Sequence, residues 1–133
     1  AMNYALRHPQ RIAGVYLDAA VMNLHSWPSK DSKLFKSAIE GYGLTLETSD
    51  QWKGPLDGNH QALVDAGVPL FIISGDSDRV VPYVDNTQLL KERYEALGGS
   101  VYTVIKATCD HHPHGLWGPS NDALADQIET VHQ

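Results

Sequence analysis

One cysteine, Cys109, stands among the 133 residues, so no disulfide can form within the chain. Its environment, a loop just ahead of a histidine cluster, predicts a small, semi-buried side chain and not a nucleophile. No apolar run approaches the roughly 20 residues of a membrane span, and no secretory signal is read. Basic residues are few: 10 Lys and Arg stand against 16 Asp and Glu, for a net charge of −6. With no basic cluster to offset that balance, nucleic acid and anionic membrane surfaces are not expected partners. Repeats, low-complexity segments and an internal domain boundary are also missing. The most consequential absence is a short one: no Gly-x-Ser-x-Gly occurs anywhere.

What is present is an ordinary soluble composition, 42% hydrophobic and 20% charged, enough to bury one core. Residues 1–8 read as helix with no N-cap ahead of them, which predicts a chain that opens within an element. Residues 11–18 then read as a mostly apolar strand. A second strand is expected over 69–74, where Leu70, Phe71, Ile72 and Ile73 run without a polar break, and a third over 100–106. Helices are expected at 60–66, at 84–97 with Leu89, Leu90, Tyr94 and Leu97 at helical spacing, and at 121–132. Gly98-Gly99 closes the middle one. Strands and helices in alternation, with near-continuous apolar strands, predict an α/β fold of about three parallel strands with flanking helices.

The stretch 19–59 is irregular and carries Trp27-Pro28, Gly41, Gly43, Trp52 and Gly54-Pro55. One helix is expected in it, over 32–42. A long excursion between two strands is more often functional than idle, so a lid or pocket lining is expected there.

In open parallel sheets, ligands gather where the strands' carboxyl ends emerge. All three expected strands end in chemistry: Asp18 after the first, Asp76 and Asp78 after the second, His111 after the third. A carboxylate that binds a histidine fixes the ring's tautomer and stabilises its protonated form. Asp78 is the preferred acid and His111, first after its strand, the preferred base. Asp76, directly after Gly75, suits a turn cap, and Asp18 is the runner-up acid or a pocket group. His112 and His114 are expected to line the pocket or brace the loop, and Trp27 to form a pocket wall. His8, His25, His60 and His132 read as surface or cap residues. Zinc held by His111, His112 and His114 with Asp76 or Asp78 is a further arrangement. Adjacent ligands diverge, however, and the spacing matches no compact zinc module, so no metal and no cofactor are expected.

At these residues the chain resembles the C-terminal half of an α/β-hydrolase. Gly75-x-x-Asp78-x-x-Val81-Pro82 is similar to that family's acid turn, and residues 106–114 are similar to its histidine loop. The His-His-Pro-His run, Val15-Tyr16-Leu17-Asp18-Ala19 and Ser26-Trp27-Pro28 resemble an esterase-like subgroup. Residues 3–9 resemble the end of the helix that starts at the nucleophile elbow. The resemblance implies Asp78 as triad acid and His111 as general base, with the serine a few residues ahead of Ala1. It further implies that the first five strands and the main oxyanion-hole amides lie outside this chain. The substrate so implied is a small-molecule ester, carbohydrate-linked esters included. Strand 11–18 would then be an exposed edge able to self-associate or take a partner chain.

Overall fold

The computed structural model describes residues 1–111 and 122–133. Three parallel strands, β1 (Val15–Asp18), β2 (Leu70–Gly75) and β3 (Val101–Lys106), lie in the order β1-β2-β3. The register pairs Val15 with Leu70 and Leu70 with Val101, and at the far end Gly75 with Lys106. The α-helices among the described residues are α1 (Met2–Arg7), α2 (Phe35–Glu40), α3 (His60–Asp65), α4 (Thr87–Ala96) and α5 (Asp122–Val131).

Successive side chains of a strand point to opposite faces, so the register sorts the core into two layers. On one face Val15, Leu17, Leu70 and Ile72 pack with Met2 and Ala5 of α1, Leu63 of α3, and Leu90 and Tyr94 of α4. On the other, Phe71 and Ile73 pack with Leu124 of α5, flanked by Tyr102, Val104 and Ile128. β2 is therefore buried at every position, which is what its unbroken apolar run requires. β1 is buried only at alternate residues, and Tyr16 stays 39% exposed. An apolar cleft of about 560 Å³ opens there between Gly14, Tyr16, Phe71 and Ile128. Among the described residues, β1 has no strand on its outer edge.

The structure shortens several expected elements. Residues 11–14 are not strand, because Pro9–Arg11 forms a 3₁₀ turn and pairing starts when the Val15 amide donates to Pro69 O at 3.0 Å. The exposed edge is thus Val15–Asp18 and not 11–18. The helix of 32–42 contracts to Phe35–Glu40, whose Phe35 and Ile39 form a small satellite core with Leu24. The helix of 84–97 starts only at Thr87, after a 3₁₀ turn and a break at Asn86. His60, expected at the surface or in a cap, opens α3 and is buried, and one of its ring nitrogens lies 2.8 Å from Pro55 O.

Candidate active site

The acid turn begins where β2 ends. Asp76 N donates to Lys106 O at 3.1 Å and Ser77 N to Cys109 O at 3.0 Å, so the turn continues alongside the loop leaving β3. Glycine is required at position 75 for this approach: a Cβ there would lie 2.2 Å from Cys109 O. Two loops from neighbouring strands are thereby pressed together at the carboxyl edge of the sheet.

Asp78 then folds its side chain back over its own turn. Oδ1 accepts from Val80 N at 2.9 Å and Val81 N at 2.8 Å, the short-range bonding for which Asp suits turns. Its other oxygen, Oδ2, lies 2.7 Å from His111 Nδ1, and the Asp78 side chain is fully buried while that of His111 is 24% exposed. With Nδ1 as the donor, a neutral His111 ring carries its lone pair on Nε2. That is the tautomer that can accept a proton from a hydroxyl.

Around this pair the two loops are laced by a second and a third carboxylate. Asp76 Oδ1 accepts from Thr108 N at 2.7 Å and from Ser77 Oγ at 3.0 Å. Thr108 holds a left-handed φ of 59°, costly for a β-branched residue, and the Asp76 bond supports it there. Asp110 reaches the opposite way: its Oδ1 accepts from Arg79 N and from His111 N, both at 2.8 Å, and its Oδ2 from Arg79 Nε at 2.6 Å. The bond from the Arg79 amide, then the guanidinium and the His111 amide, hold the Asp110 carboxyl down at about 2.

The other expected site residues fall elsewhere. Asp18 ends β1 and lines a cavity of about 250 Å³ with Met2, Asn3, Tyr16 and Tyr42. Its charge, second to burial, raises the Tyr16 hydroxyl above its ordinary range. Trp27 is 42% exposed in an irregular turn, His25–Ser29. His112 and His114 lie outside the described residues, so the zinc arrangement that used them does too. Among the described residues no three His, Cys, Asp or Glu side chains cluster to hold a metal. No helix among them is long and apolar enough to cross a membrane.

Three serines near the strand ends are all engaged. Ser26 Oγ donates to Asn23 O, Ser74 Oγ to Gly75 O and Ser77 Oγ to Asp76 Oδ1. Two residues that sequence reasoning missed also shape the region. Asn86 is buried, and its side chain accepts from Met22 N and Asn23 N and donates to Ser26 Oγ and Pro82 O. It ties the chain leaving β1 to the end of the acid turn. Lys106 is the other: its side chain is buried on the α5 face, and Nζ has no hydrogen-bond partner among the described residues.

No protein-family model matches this chain, and no curated protein does. Among solved structures, the crystal structure of a puromycin hydrolase mutant complexed with PGG is similar, with a TM-score of 0.55 over 90% of this chain. The fold is α/β-hydrolase-like. At 17% identity the likeness is one of fold and not of chemistry, and the chain spans 17% of that hydrolase's length.

Proposed function

We propose that this chain carries the acid and the base of a serine hydrolase acting on carboxylic esters. Asp78 orients His111, and His111 is the general base. The observation supporting this reading is the 2.7 Å contact between a fully buried carboxylate and His111 Nδ1 at the carboxyl edge of a parallel sheet. Fixed in that tautomer, Nε2 takes the proton of a serine hydroxyl as its oxygen attacks the ester carbonyl. The imidazolium then gives the proton to the departing alkoxide, leaving an acyl-enzyme. Water repeats the sequence and releases the acid. No cofactor enters this chemistry.

The serine is assigned upstream of Ala1 on the resemblance to α/β-hydrolases, and the chain itself has no Gly-x-Ser-x-Gly. Small-molecule esters, carbohydrate-linked ones included, are the substrate class. Asp18, Trp27, His112 and His114 are assigned to binding them. The test is an assay on a short-chain aryl ester. The 133-residue protein is expected to turn over nothing, and turnover abolished by His111→Ala would contradict an upstream nucleophile. Protein extended upstream through a Gly-x-Ser-x-Gly is expected to be active and to lose on the order of 10⁴-fold or more with His111→Ala.

One observation favours a second reading, a domain that binds a partner chain by strand addition: β1 has an open edge among the described residues, beside the apolar cleft at Tyr16 and Phe71. Solution mass separates the two. A defined complex supports strand addition, and a heterogeneous aggregate counts against it.

A further inference from the structure

The carboxylate beside the base has no part in the proton transfers above, yet it touches both loops that carry them. Asp110 Oδ1 accepts two backbone N–H groups at once, that of Arg79 one residue beyond Asp78 and that of His111 itself. One oxygen atom thus sets the distance between the backbone of the acid turn and the backbone of the base. The Oδ2 arm differs, because it meets an Arg79 side chain that is 87% exposed. Exposed ion pairs of that kind contribute little and are screened by salt.

We propose that Asp110 is the positioning residue of the candidate active site, holding His111 Nδ1 against Asp78 through its two backbone bonds and not through its ion pair with Arg79. The proposal rests on the reading of Asp78 and His111 as acid and base. A carboxylate shifted along the chain by one atom cannot serve both amides in the same geometry, so acceptor position matters more than charge. Asp76 bridges the loops from the other side, through Thr108 N, but it touches neither Asp78 nor the His111 backbone in a described bond. It holds the histidine loop at Thr108, and Asp110 holds it at the His111 backbone.

The test uses the 133-residue chain and the imidazole Nδ1 proton of His111, observed by NMR and assigned by its loss in His111→Gln. That proton is expected downfield in the wild type and lost in Asp78→Asn. Asp110→Asn keeps an Oδ1 acceptor and is expected to retain the downfield proton, although the ion pair is gone. Asp110→Ala is expected to lose it while the backbone amide spectrum stays folded. Asp110→Glu keeps the charge, moves the acceptor by one methylene and is expected to shift the proton upfield. It decides the matter if the alanine variant does not fold. An unchanged signal in Asp110→Glu, or in a folded Asp110→Ala, overturns the positioning role alone. Loss of the signal in Asp110→Asn would show that the charge acts instead, and overturns it as well. A wild type with no proton sensitive to Asp78→Asn overturns the acid–base reading and the proposal with it.

Discussion

Two irregular regions of this molecule are held by the same kind of bond with different energetic weight. The excursion after β1 is pinned to the acid turn by Asn86, which is 1% exposed and makes four hydrogen bonds. The loops after β2 and β3 are laced by Asp76 and Asp110, whose bonds lie at the solvent-facing edge. A buried polar network is expensive to break, because each orphaned group loses water as well as its partner. At the edge, water replaces a lost partner, and what is lost is geometry. The first region should therefore govern stability and the second the alignment of Asp78 with His111.

Asn86→Ala gives the largest expected effect. It strands the Met22 and Asn23 amides, at about 1–3 kcal/mol for each buried unpaired group, so a loss of about 3 kcal/mol is expected in urea unfolding. The His111 Nδ1 proton should survive in the folded fraction. A stability change under about 0.5 kcal/mol, the range of ordinary surface substitutions, would erase the contrast between the two regions.

The smaller effect lies at the edge and depends on pH. The Asp110 carboxyl sits at about 2 in the folded chain against an ordinary 3.8, so the unfolded chain binds the proton more readily. Its stabilising contribution is complete above 3.8 and fades as pH falls through about 2. The stability difference between wild type and Asp110→Asn is expected to shrink across that window in acid-unfolding curves. A difference that grows as the solution is acidified would mean that the folded carboxyl is not depressed.

How much of this was legible beforehand follows from where each signal resides. β2 is plain in the sequence because a doubly covered strand must be apolar throughout, and parallel strands follow from the alternation of strands with helices. The start of β1 is not, since Arg11 and Ile12 look like strand and only the pairing of Val15 with Leu70 decides where it begins. The start of α4 is not plain either: the helical spacing carries back to 84, and the break at Asn86 follows from its side chain's bonds to Met22 N and Asn23 N, which only the fold brings there. His60 reads as a surface or cap residue in the sequence, and only the fold brings Pro55 O and the Tyr94 ring to it.

At the site, Asp78 and His111 could be chosen from their places just beyond two strands. Asp110 could not, because Arg79 is 31 residues away and the pairing exists only after Gly75 lets the loops close. Of the residues assigned to substrate binding, Asp18 lies in a cavity at the end of β1, and Trp27 is partly exposed. Sequence order says nothing of such distances.

The central claim, that Asp78 and His111 form an oriented acid–base pair, is tested most directly by the tautomer of the His111 ring. Nitrogen-15 shifts of the imidazole, followed through its titration, distinguish a proton on Nδ1 from one on Nε2. The account predicts a neutral ring protonated at Nδ1 in the wild type, with that preference lost in Asp78→Asn. A neutral ring protonated at Nε2, or a preference that Asp78→Asn leaves unchanged, would contradict it.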